Sequence, residues 1–136
     1  MGSSYSIQYV REPGGPAPAQ VQAAVETLLQ GVDQHYSTYR GDSTVSRFNQ
    51  LPANQCLPVD ADMLELVNLG QHLAEQSQGA YDLTVEPLLD LWGFGPQARA
   101  LHVPDAQAQA QVRQRVGYRH LRIEGENLCK DAPIEL

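Results

Sequence analysis

Residues 79–96 constrain the fold more than any other stretch of this chain. They read Gly-Ala-Tyr-Asp-Leu-Thr-Val-Glu-Pro-Leu-Leu-Asp-Leu-Trp-Gly-Phe-Gly-Pro. Val85, Leu88, Leu89 and Trp92 recur at i, i+3, i+4 and i+7, which is one apolar face of a short helix. Thr84 is the expected N-cap, and Pro87 still lies in the first turn, where a missing N–H costs nothing. Gly93, Gly95 and Pro96 stop the helix. Upstream, Gly79 is placed as the left-handed C′ residue of a preceding helix. Ala80, Tyr81 and Asp82 then occupy a tight connection that opens onto a helix N-terminus, where an anion is favoured. The acids Asp82, Glu86 and Asp90 argue against a simple anion site and suit hydroxyl, amine or metal-bridged partners. The bland alternative is a helix–turn–helix corner with Trp92 and Phe94 in the core.

A length of 136 residues fits one domain with a real core. The net charge of −7 is uneven. Residues 60–105 hold eight acids and one base, Arg99. Nucleic acid and anionic membranes need a basic patch, so neither is an expected partner. No apolar run approaches the roughly 20 residues that span a bilayer, and no signal peptide is read at the start. Cys56 and Cys129 fit either a disulfide of an oxidising compartment or two buried thiols. Neither has a His or Cys neighbour in sequence, which sets zinc aside. His35, His72, His102 and His120 are scattered and read as surface or satisfied core.

Residues 4–10 alternate, with Tyr5, Ile7 and Tyr9 on one side, and predict a half-buried strand. A Gly/Pro loop covers residues 12–18. A helix follows over residues 19–36, striped by Val21, Val25, Leu28, Leu29 and Val32. The hydroxyl-rich run to Asn49 predicts a loop with a helical turn over residues 43–49, capped by Asp42 or Ser43. Residues 51–58 read as loop. Asp62 and Glu65 form a capping box for a second helix that buries Met63, Leu66, Val67, Gly70, Leu73 and Ala74. After the central stretch, Pro104 and Asp105 open an exposed Ala/Gln-rich helix closed by Gly117. Residues 120–123 and 128–130 predict a hairpin, and Ile134 with Leu136 promises another strand. The order is α+β, with antiparallel strands and several helices. One polar pocket is expected between residues 37–49 and the corner at residues 80–84.

Three separated segments, taken together, resemble one family. They are Met1-Gly-Ser-Ser-Tyr5, Ser37-Thr-Tyr-Arg-Gly-Asp-Ser-Thr-Val-Ser-Arg-Phe-Asn49 and the block from Gly79 to Pro96. The family is that of the ApbE-type flavin transferases, the FAD:protein FMN transferases, and the likeness runs through the whole chain in order. It implies an ApbE-like, T-fold-like domain, of which residues 1–136 would be the N-terminal portion. It implies an enzyme that cleaves FAD with Mg²⁺, attaches FMN to a Thr or Ser hydroxyl of a target protein and releases AMP. Some relatives mainly hydrolyse FAD, and a non-catalytic flavin-binding module is a further alternative.

Position by position, the resemblance puts FAD contacts at Met1, Tyr39, Ala80, Tyr81 and Asp82. Tyr39 would stack on a flat ring, main-chain groups of Ala80 and Tyr81 would read ring edges, and Asp82 would accept from a ribose or ring N–H or, alternatively, cap the helix at Thr84. Thr84 and Asn49 are structural candidates, a cap and a loop lock. The family's Gly-rich block and its Asp-rich Mg²⁺ site have no counterpart here, so the Mg²⁺ ligands are expected outside these residues and the isolated chain is expected to be inactive. Target subunits would belong to membrane redox complexes of the Nqr and Rnf types. The full-length form would be a lipoprotein anchored to the inner membrane in the bacterial periplasm. Unpaired edges at residues 4–10 or 134–136 would make the chain self-associate.

Overall fold

Helices dominate this chain, with one short strand between the second and third of them and a hairpin near the end. The computed structural model describes residues 4–95 and 103–136. Helix α1 spans Pro18–Tyr36, α2 Thr44–Asn49 and strand β1 Gln55–Pro58. Helix α3 spans Ala61–Gln76, α4 Glu86–Leu91 and α5 Ala106–Arg113. A 3-10 turn at Tyr118–His120 leads into β2, Leu121–Glu124, and β3, Asn127–Lys130. The architecture is α+β, as the sequence predicts.

The strands pair antiparallel in the order β1-β3-β2. The β2–β3 hairpin turns through Gly125, whose φ of 62° suits a two-residue loop. Leu57, Leu121, Ile123, Leu128 and Lys130 share one face by register. That face meets Val45 and Phe48 of α2, Met63 and Val67 of α3, and Ile134. Met63, Val67, Gly70 and Ala74 fall at the helical period and are the buried line of α3. Leu83 packs closely on Gly70: a Cβ there would lie 2.5 Å from Leu83 Cδ1, so a larger residue would have to push the Leu83 side chain aside. Gln71 Nε2 donates to Leu121 O at 2.6 Å and ties α3 to the sheet.

The C-terminal residues are clasped by polar groups. Asn49 Nδ2 donates to Leu136 O at 3.0 Å, and its Oδ1 accepts from Leu136 N at 2.8 Å. The Asn49 amide is therefore the loop lock the sequence suggests. Lys130, fully buried, donates through Nζ to Asn49 O at 3.1 Å and Ile134 O at 2.9 Å. Burial, and then the charge of Arg115, lowers its ammonium pKa below the ordinary lysine value.

Several local expectations are corrected. Residues 4–10 form no strand and are exposed. Alternation gives a strand its faces but no hydrogen-bond partner. Here Tyr5, Ile7 and Tyr9 lie along α1 beside Val21 and Val25. Residues 55–58, read as loop, form the edge strand β1, where a proline is tolerated. The N-cap of α3 is Asp60, whose carboxylate accepts from Met63 N at 2.8 Å, and not Asp62. Leu66 and Leu73, expected inside, are 51% and 41% exposed. Gln78, with φ 56°, takes the left-handed C′ place, followed by Gly79 at φ 85°. Gln78 N then bonds Glu75 O and Gly79 N bonds Ala74 O, which closes α3. Residues 134–136 form no strand, because Ile134 enters the core and Asn49 takes the backbone of Leu136.

Candidate functional site

The hydroxyl-rich loop spends its hydroxyls on itself. Ser43 caps α2 by accepting from Ser46 N at 3.0 Å, and its own hydroxyl donates to Ser37 O at 2.6 Å. Arg40 donates to Asp42 at 3.1 and 3.0 Å and to Gln34 Oε1 at 2.8 Å. Its hydrogen bonds hold the Asp42 carboxyl below the usual carboxylate value. This frame fixes the backbone and leaves Tyr39 standing out, 77% exposed. Its N–H donates to Ser37 Oγ at 3.3 Å.

The corner after α3 is built on Ser77. Ser77 O accepts from Ala80 N at 3.1 Å, and Ser77 Oγ accepts from Tyr81 N at 3.0 Å. The N–H groups of Ala80 and Tyr81 are therefore engaged within the corner. Asp82 faces inward. Its Oδ1 accepts from Thr84 N at 2.8 Å and from the Thr84 hydroxyl at 2.7 Å. Its Oδ2 accepts from Tyr118 N at 2.9 Å, and Thr84 Oγ1 accepts from Gly117 N at 2.7 Å. Thr84 is wholly buried and joins this latch instead of capping α4. The N-cap of α4 is Val85, without a side-chain bond, and Pro87 sits in the first turn as expected. Gly93, φ 80°, ends α4 through bonds from Gly93 N to Asp90 O and Phe94 N to Leu89 O. Sequence reasoning missed Gly117 and Tyr118 as partners of this corner. Their separation of more than 30 positions leaves no local signal.

A groove of about 340 Å³ runs between the two motif-bearing segments. Thr38 lines one side and Tyr81 with Leu83 the other, with Met63, Leu66 and Gly70 of α3 as floor and Leu136 at an end. The pocket expected between these segments is present, but its wall is apolar and not polar. Of the candidate contacts among the described residues Tyr81 lines it, whereas Tyr39, Ala80 and Asp82 are not part of its wall. Met1 lies outside the described residues, as do Pro96 and His102. A larger hollow of about 510 Å³ lies along α1 by Tyr5 and Arg40. It touches neither side of the Ala80–Thr84 corner.

Past the groove, Glu86 is partly buried one turn from Asp90. Burial, and then the charge of Asp90, raises its pKa above the ordinary 4.5. The folded state therefore holds this proton more tightly than the unfolded chain does. The stability it contributes is present in acid and is lost as pH rises through the raised value. Glu86→Gln is expected to melt higher than the parent at pH 7 and level with it near pH 4. Equal melting at both values would show that the carboxylate carries no penalty.

Mg²⁺ favours carboxylate oxygens and water. Among the described residues the only set of three ligating side chains within reach of one another is Cys56, Glu124 and Cys129, on the sheet. That set does not fit Mg²⁺.

Comparison with known proteins supplies the remaining constraint. A family model described as the ApbE family matches residues 1–136. The FAD:protein FMN transferase of Vibrio cholerae is 41% identical over 133 residues, covering 98% of this chain and 40% of the relative. That of Klebsiella pneumoniae is 34% identical over 137 residues, covering 98% and 39%. The crystal structure of the Pseudomonas stutzeri flavinyl transferase ApbE superposes with a TM-score of 0.87 at 48% identity, covering 94% of this chain and 43% of that one. The flavin transferase ApbE from Vibrio cholerae gives a TM-score of 0.87 at 40% identity, covering 92% and 40%. The chain spans about two fifths of the length of the curated relatives it matches.

Proposed function

This chain belongs to the ApbE family, and on that premise we propose that it forms the flavin-gripping part of an FAD:protein FMN transferase. The full reaction breaks the pyrophosphate of FAD, joins the FMN phosphate to a Thr or Ser hydroxyl of a target protein and releases AMP. The observation that carries this reading is the groove flanked by Thr38 and Tyr81, where the two most family-like segments converge. An apolar floor suits a flat, largely apolar ring, and the exposed Tyr39, next in sequence to the lining residue Thr38, can fold over its face. The carbonyls of Ala80 and Tyr81 can accept from ring or ribose donors. Asp82 has one accepting position left beyond its three internal bonds, enough for one ribose hydroxyl. Met1 is retained as a contact on the family resemblance alone.

Mg²⁺, when bound, would stabilise charge developing on the phosphates, with ligands from residues other than those described. The proposed targets are subunits of membrane redox complexes of the Nqr and Rnf types. The proposed location is the bacterial periplasm, with a lipoprotein anchor. No helix of the described residues is long and apolar enough to cross a membrane. Self-association is proposed through the exposed apolar side chains of α1, Leu28 and Val32 among them, and no longer through open strand edges, since residues 4–10 and 134–136 form no strand. Light scattering at high micromolar concentration should show a dimer or larger species, and a monomer there would refute it.

FAD titration with and without Mg²⁺, followed by calorimetry and AMP release, tests the flavin reading. Saturable binding without AMP release is expected. Tyr39→Ala should lose about 1 kcal/mol of binding, roughly fivefold in Kd, with an unchanged melting temperature, because the ring is exposed. Mg²⁺-dependent AMP release would instead favour an FAD pyrophosphatase with ligands among Asp82, Glu86 and Asp90. Absence of binding would remove the groove as the flavin site.

A further inference from the structure

On the flavin reading above, we propose that Gly70 and Leu83 together set the depth of the groove and so its fit to a flat flavin ring. Gly70 lies in the interior of α3, which spans Ala61–Gln76. Glycine is the poorest helix former after proline, so a glycine inside a helix needs a reason. A left-handed backbone is not the reason, since Gly70 is not among the glycines of positive φ. Space is. A Cβ on Gly70 would stand 2.5 Å from Leu83 Cδ1 and 2.7 Å from both Cδ2 and Cγ. Gly31, inside α1, is the contrast: a Cβ there would meet nothing within 4 Å. The missing side chain of Gly70 is the seat into which Leu83 sinks.

Both residues line the groove. Gly70 is buried and Leu83 half-buried, so the leucine is the surface a ligand meets and the glycine is the space behind it. The backbone on either side of Leu83 is held. Asp82 Oδ2 accepts from Tyr118 N at 2.9 Å, and Thr84 Oγ1 accepts from Gly117 N at 2.7 Å. Inward, Leu83 packs against the core cluster that contains Val45, Met63 and Val67. Such a core is close-packed and has no room for a displaced side chain. A leucine pushed off Gly70 therefore finds free volume only in the groove of about 340 Å³. A planar ring gains its dispersion energy from many small contacts across its face. A leucine turned into the groove removes several of them at once.

Fold and fit are separable at this pair. The atoms that a Cβ on Gly70 would strike belong to the end of a side chain and not to backbone. One added methyl group is thus accommodated by Leu83, at the expense of the groove and not of the helix.

The test is a cycle of four chains: the parent, Gly70→Ala, Leu83→Ala and Gly70→Ala/Leu83→Ala. Each is titrated with FAD and melted. The parent is expected to bind. Gly70→Ala should bind about tenfold more weakly. Its melting temperature should stay within about 4 °C of the parent's, because alanine favours the helix while Leu83 is displaced. Leu83→Ala removes Cγ, Cδ1 and Cδ2, the atoms that the new Cβ would strike. In that background Gly70→Ala should change Kd by less than about twofold. Equal FAD affinity of the parent and a folded Gly70→Ala chain would overturn the proposal. A tenfold loss that persists in the Leu83→Ala background would do the same, since the effect would not pass through Leu83. A Gly70→Ala chain that fails to fold would also overturn it, because Leu83 would not have given way. A parent that does not bind FAD would refute the flavin reading itself and this fit with it, so the parent's own titration keeps the two failures apart.

Discussion

Replacing both Cys56 and Cys129 by alanine is expected to lower the unfolding free energy by about 4 kcal/mol. The bond closes a loop of 73 positions, which contains α3, α4, α5 and β2. On the chain-entropy account a cross-link this long removes much of the freedom of the unfolded chain. Domains commonly have only about 5–15 kcal/mol in all, so the loss would be a large share. Burial adds little, because Cys56 is exposed and only Cys129 is enclosed. Urea denaturation of the oxidised parent and the double alanine variant, at matched concentration, measures it. A difference below about 1 kcal/mol would mean that the unfolded chain is already restricted without the bond.

The helices and the hairpin were legible because their signals are local. The apolar period of α1 and α3, the proline in the first turn of α4, and the Asp105 cap of α5, which accepts from Ala108 N at 2.7 Å, each lie within a few residues of the element they define. Strand β1 has no such signal. Gln-Cys-Leu-Pro does not alternate, and it becomes a strand only because β3 offers a free edge. Residues 4–10 are the converse case. They alternate well and stay single, since no strand among the described residues pairs with them. Exposure was misjudged for a related reason. An apolar stripe predicts a buried face only where something packs on it, and α1 has no fully buried residue.

Within the candidate site, the segments were legible and the contacts were not. The sequence pointed to both walls of the groove, but not to its apolar character. That character comes from Leu66, Leu69 and Leu73 of α3, which the helical pattern assigned to the core or left unassigned. Thr84 shows the same limit. A threonine just before a helix reads as a cap, and only the fold shows that its hydroxyl instead bridges the neighbouring Asp82 and the distant Gly117.

Asp82→Ala should destabilise the chain by about 3 kcal/mol, and the reason separates two roles for this carboxylate. The substitution strips the acceptor from two backbone N–H groups, those of Thr84 and Tyr118, in residues that are 0% and 7% exposed. Each buried donor left unsatisfied costs roughly 1–3 kcal/mol. Asp82→Asn should cost less, about 2 kcal/mol: its carbonyl oxygen still accepts from Thr84, while its NH₂ group meets the Tyr118 N–H without bonding it. A carboxylate that served only the ligand would give the opposite pattern, with both variants as stable as the parent and both weak for FAD. Chemical denaturation and FAD titration of the two variants side by side resolve the roles. Loss of stability in the order alanine then asparagine identifies Asp82 as the residue that holds the groove's corner in place. Any loss of FAD affinity that persists in a folded Asp82→Asn chain, below its melting temperature, then measures the one contact left for the flavin nucleotide.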